Sequence, residues 1–192
     1  MKSFFQQKRK NNRAFTIVEA LLAVSIFSLS VVVLMSVLSE GIADTGYAKK
    51  KIMAVYLAQE GVETMRNMRD SYILYSASGT GWSGFSSKLS GASCGAANGC
   101  YFNDSTLNFS DPSQPIIDIT MTACSTNCPT LLYNSTSGKY GYTTGTASGL
   151  RRKIQTTTIS ANEMKISSTV FWTQESGTYN ITLSENLFNW TE

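Results

Sequence analysis

The sequence predicts an α+β protein: one long amino-terminal helix, apolar in its first half and amphipathic in its second, followed by a domain of antiparallel strands. Three observations predict it. The twenty residues from Ala20 to Ser39 carry no charge. Beyond them Ile52, Val55, Ala58, Val62 and Met65 recur mostly at spacings of three and four, as one face of a helix does. The last forty residues then hold three runs of high strand propensity joined by short turns.

The chain opens on residues 1–14, a basic leader with Lys2, Lys8, Arg9, Lys10 and Arg13 and no acidic residue. The uncharged run after it, ALLAVSIFSLSVVVLMSVLS, meets the requirement of about 20 residues for an apolar helix to cross a bilayer. Positive charge clustered beside a spanning helix holds that end in the cytoplasm. The amino terminus is therefore expected inside, and everything after about residue 40 outside. Glu19 stands at the lip of the apolar run, where a carboxylate is costly unless neutralised or paired. A secretory signal peptide explains the segment less well. Its apolar core is usually 7–15 residues and ends at an A-x-A-like site, whereas this run ends in SEGIAD.

A basic leader, a small residue and then FTIVEALLAVSIF resemble the processing site of type IV prepilins and pseudopilins. The resemblance implies that a membrane prepilin peptidase cuts between Ala14 and Phe15 and methylates the new amino group of Phe15. It places Glu19 at the fifth residue of the mature chain, where the family keeps its glutamate. Ala14 departs from the glycine more usual before the cut, which bears on the rate of processing. The resemblance also implies a filament subunit with other pilin subunits, the peptidase, an inner-membrane assembly platform and membrane lipid as partners. The mechanism it implies is an ion pair: Glu19 of an incoming subunit meets the amino terminus of its neighbour. In apolar surroundings each charge alone costs several kcal/mol, and pairing recovers much of that. Pairing with the chain's own terminus is also within reach, but adds no drive to assemble.

With the leader removed, 16 basic and 13 acidic residues become 11 and 13, so the net charge of +3 belongs to the leader and does not point to nucleic acid. The chain has no histidine, which excludes Ser-His-Asp and Cys-His nucleophilic sites and histidine-ligated metals. No enzymatic activity, cofactor or metal is expected. Cys94, Cys100, Cys124 and Cys128 all lie on the expected exported side. Four cysteines allow three pairings. Short loops favour Cys94–Cys100 and Cys124–Cys128; a zinc site is the alternative, and an oxidising compartment with no CxxC pair argues for disulfides.

The helix is expected from Phe15 to about Ser71. Residues 15–40 form its membrane and assembly half, and residues 41–72 its amphipathic half. At 1.5 Å per residue it would be about 80 Å long. Gly41 and Gly46 bracket the membrane exit and mark where it could bend, or end outright at Gly41 with a second helix starting near Thr45. No proline softens its apolar half.

Residues 73–192 form the exported domain. From Tyr75 to Asn98 a loop is expected, pinned by Trp82 and Phe85. Short strands follow at Cys100–Asn103, Ile116–Thr122, Leu131–Asn134 and Tyr140–Thr143, then longer ones at Arg151–Ile159, Lys165–Thr173 and Tyr179–Ser184. In the second of these, Ile166, Val170 and Trp172 share a face; in the third, Tyr179, Ile181 and Leu183 do. Gly177 supplies the hairpin turn. Asp104, Asp111 and Asp118 lack the dense spacing of a calcium loop and read as turn residues. Arg151-Arg152-Lys153 reads as a solvated strand start rather than a nucleic-acid groove. Five Asn-x-Ser/Thr triplets, at Asn103, Asn108, Asn134, Asn180 and Asn189, reflect the composition. The ending, RRKIQTTTI through SENLFNW, is similar to that of PilV-type minor pilins and of minor pseudopilins of type II secretion.

Overall fold

The structure is a computed structural model and describes residues 16–75, 81–103, 119–174 and 177–190. Helix α1 runs Ile17–Tyr75 and helix α2 Gly81–Gly91. Seven strands follow: β1 (Cys100–Asn103), β2 (Thr120–Ala123), β3 (Thr130–Asn134), β4 (Lys139–Gly141), β5 (Thr146–Ser160), β6 (Glu163–Gln174) and β7 (Gly177–Phe188). The chain forms two compact units, residues 1–46 and 47–192. α1 is one uninterrupted α-helix; neither Gly41 nor Gly46 takes a positive φ, and the break considered at Gly41 is absent. Asp104, Asp111, Asp118, the triplet at Asn108 and the first residues of the strand expected at Ile116 lie outside the described residues.

In the second unit all strand pairings are antiparallel. β5 is the hub. One edge pairs along most of its length with β6, which pairs in turn with β7. The other edge is shared: β3, carrying β4, takes its beginning, and β1, carrying β2, meets it at Ile154. Alternation along β5 puts Leu150, Arg152, Ile154 and Thr156 inside and Arg151, Lys153 and Gln155 on the other face. Similarly β6 buries Ile166, Ser168, Val170 and Trp172.

The amphipathic half of α1 lies on these inward residues. Its buried stripe is Ala54, Leu57, Ala58, Gly61, Met65 and Met68, while Val55 and Val62 are half-buried and Ile52 is 56% exposed. The stripe expected from large side chains is thus rotated toward the small ones. The reason is close approach: a Cβ on Gly61 would fall on the Ser168 hydroxyl and lie 3.1 Å from Ile154 Cδ1. Two core clusters result. Ala54, Leu57 and Ala58 meet Leu131, Leu150, Val170 and Trp172; Met65 and Met68 meet Phe85, Leu89, Phe102, Ile154 and Ile166.

The segment expected as a loop from Tyr75 to Asn98 contains α2. Three glycines and four serines make GWSGFSSKLSG a poor helix former. Tertiary burial overrides that: Phe85 and Leu89, four apart, are fully buried, and the Trp82 indole donates to the carbonyl of Ala161 at 2.9 Å. The turn after α2 closes with Ser93 N–H on Ser90 O (2.9 Å), Cys94 N–H on Leu89 O (3.0 Å) and Ser93 at φ 56°. That double bond around a left-handed residue is a Schellman motif.

Three further expectations are corrected. Gly177 opens β7 opposite Gln174 without a positive φ, and the Tyr179 ring occupies the space a side chain would take. Arg152 is not solvated: it is 2% exposed, on the inward face of β5. The strand expected at Tyr140–Thr143 spans Lys139–Gly141.

Candidate functional site

The first described turn of α1 is built by Thr16. Its hydroxyl accepts the Glu19 N–H at 3.3 Å and its carbonyl accepts those of Glu19 (3.1 Å) and Ala20 (3.2 Å), so it serves as N-cap. Thr-x-x-Glu is the capping-box spacing, a signal in the sequence that fixes the helix start and that the apolar run obscures. Glu19 therefore sits in the first turn, where the helix dipole favours an anion. Its side chain is exposed and has no ion-pair partner among the described residues. Ala14 and Phe15, the expected cleavage and methylation positions, lie outside the described residues.

From Ile17 onward the apolar side chains of this unit face outward: Phe27 is 70% exposed and Met35 68%. Burying one such side chain is worth about 1.5–3 kcal/mol, so a row of them demands lipid or protein cover. Three of its hydroxyls are satisfied in a way that suits an apolar medium. Ser25, Ser28 and Ser30 each donate to a carbonyl one turn back, on Leu22, Val24 and Ile26, at 2.8 Å. Among the described residues α1 is the helix long and apolar enough to cross a membrane.

Residues 9–35 match the family model of the prokaryotic N-terminal methylation motif. That motif is the signature of type IV pilin-like prepilins, and it spans both expected processing positions, Glu19, and most of the apolar run. The α+β arrangement, a long amino-terminal helix followed by an antiparallel sheet, is consistent with the type IV pilin fold. No curated protein and no solved structure gives a significant match to the chain.

In the second unit the four cysteines pair as Cys94–Cys100 and Cys124–Cys128. The two loops interlock. Cys124 N–H donates to Gly99 O at 3.0 Å, and the Asn98 amide donates to Ser125 O. Gly99 is required there: its φ is 65° and a Cβ would fall against Ile154 O. The first loop is also tied to β5 through Thr156 N–H on Cys94 O at 3.0 Å, Gln155 Nε2 on Ala96 O at 3.2 Å and Lys153 Nζ on Ala97 O at 3.4 Å.

Arg152 was missed as a structural residue, because a run of three basic residues in sequence suggests solvent. Its guanidinium stacks on Phe102 at 3.9 Å from the ring centre, donates to Leu57 O at 3.4 Å and pairs with Glu60 at 3.2 Å. Strand alternation between Leu150 and Ile154 is the signal that could have placed it inside. No cluster of metal-ligating residues occurs among the described residues.

Proposed function

We propose that this chain is a pilin-like structural subunit, a minor pilin similar to the PilV type, which joins a type IV pilus or related filament after processing. The methylation motif over residues 9–35, together with the exposed apolar side chains of the helix among the described residues, carries the reading. Before assembly the subunit is a single-pass protein of the inner membrane with its amino terminus in the cytoplasm. Cleavage between Ala14 and Phe15 frees an α-amino group, which ordinarily titrates at about pH 8 and is therefore largely cationic at neutral pH. Glu19, unpaired by its own described residues, then neutralises the amine of a neighbouring subunit as the helix leaves the bilayer.

Glu19→Val tests this. The variant should enter the membrane and be processed to a chain lacking residues 1–14 and carrying one added methyl group, yet be absent from sheared filaments. Normal incorporation overturns the pairing mechanism, and an intact mass that still includes residues 1–14 overturns the processing. Finding the wild-type chain only in a cell-envelope secretion complex would instead assign it to the pseudopilins.

A further inference from the structure

On the face of β5 opposite Arg152 and Ile154, the two disulfide loops and the sheet enclose a cleft of about 160 Å³. Asn98 comes from the first loop, Thr126 and Asn127 from the second, Arg151 and Lys153 from β5 and Phe171 from β6. Sheet register brings the last three together, since Arg151 pairs directly with Phe171 and Lys153 lies two residues on. The walls are fixed before any ligand arrives, by the two bridges and by the bonds that tie the loops to each other and to β5. A preorganised cleft spends little binding energy on ordering itself.

Its chemistry is one-sided. Two cations line it and no acidic side chain does. The Arg151 guanidinium has no hydrogen-bond or ion-pair partner among the described residues. Lys153 directs one donor at Ala97 O, and an ammonium has three. Phe171 adds an apolar ring, Asn98 and Asn127 amides, and Thr126 a hydroxyl. Cations for a carboxylate, amides and a hydroxyl for ring hydroxyls, and an aromatic ring for a C–H face match an acidic pyranose. The size matters too. Clefts that engulf whole ligands are about 300–1,000 Å³, so this one admits a single ring at the end of a longer chain. A nucleic-acid strand instead calls for an open groove with successive stacking rings, which a cleft closed by two loops does not offer.

We propose that this cleft binds a terminal carboxylate-bearing sugar, of the uronic-acid class, on an acidic glycan. The site is independent of filament membership, so the full-length chain in detergent micelles suffices to test it. Glucuronate, glucose, acetate and a short DNA duplex are titrated by calorimetry. Glucuronate should bind with an affinity that weakens with salt, and glucose and acetate at least about ten-fold more weakly, because each lacks one half of the recognised group. Arg151→Gln, on the outer face of β5, should weaken glucuronate about ten-fold with the thermal midpoint unchanged. Lys153→Gln should weaken it about as much while also losing the tie to Ala97 O, and Phe171→Leu should weaken it while leaving acetate unaffected. Absence of glucuronate binding overturns the proposal. So does equal binding of acetate, which would make the cleft a plain anion site, or tighter binding of the duplex.

Discussion

Arg152 Nη1 lies 3.2 Å from Glu60 Oε2, joining a guanidinium that is 2% exposed on β5 to a carboxylate that is 41% exposed on α1. The pair is one of the ties between helix and sheet, and its two ends differ in worth. Glu60 is partly solvated, but Glu60→Ala leaves the buried guanidinium without its carboxylate and should cost about 2 kcal/mol. Arg152→Ala removes the stack on Phe102 and leaves a cavity, and should cost about 3 kcal/mol. Arg152→Met keeps most of the volume and should fall within about 1 kcal/mol of the parent. Denaturant unfolding of the three variants checks this; Met as damaging as Ala would show that charge, not packing, is what Arg152 contributes.

The closest approach of α1 to the sheet is at Gly61. Gly61→Ala should destabilise by about 1–3 kcal/mol through overpacking against Ser168 and Ile154, although alanine is the better helix former by about 1 kcal/mol. The Ser168 hydroxyl is buried without a partner among the described residues, so Ser168→Ala alone should be neutral or stabilising. Combining the two should recover most of the loss. A double variant no better than Gly61→Ala would place the strain elsewhere.

Burial pushes the Tyr142 phenol from its usual 10 up to about 12, against the opposing pull of nearby Arg152. The folded state thus holds a proton that the unfolded chain has released. The stability this protects is complete below pH 10 and is lost as pH rises toward 12, by about 2–3 kcal/mol. Unfolding free energies measured across that window should fall more steeply for the parent than for Tyr142→Phe. Parallel curves would mean the phenol is not buried.

Each disulfide closes a short loop, and loop entropy alone gives each about 2 kcal/mol. Cys94→Ser/Cys100→Ser should lose more than Cys124→Ser/Cys128→Ser. It places hydroxyls at fully buried positions and loosens the link between the end of α2 and β1. Equal losses in thermal unfolding would show that the first bridge constrains nothing beyond its own loop.

The long helix and the three long strands were legible because each repeats one signal many times over: absence of charge, or alternation over ten residues. The Cys94–Cys100 and Cys124–Cys128 pairs followed from loop length. What was not legible depends on partners far away in sequence. α2 has the composition of a loop and is helical because Phe85 and Leu89 find a core. The stripe on α1 is centred on Ala54, Ala58 and Gly61 because a helix that lies close on a sheet presents its smallest residues, whereas hydrophobic periodicity weights the largest. Arg152 reads as surface from its neighbours in the chain and as interior only from its neighbours in the strand. At the amino-terminal site Glu19 stands out by its isolation at the lip of an apolar run, while the cap at Thr16 lies in a three-residue spacing beside it.

The two bridges have a consequence for how the protein is made. Each bridge joins two cysteines that are consecutive along the polypeptide, so the order of oxidation can follow the order of synthesis. A chain emerging amino terminus first presents Cys94 and then Cys100 before either later thiol exists to compete. The correct connectivity is then also the earliest one available, and no reshuffling of mispaired sulfurs is called for.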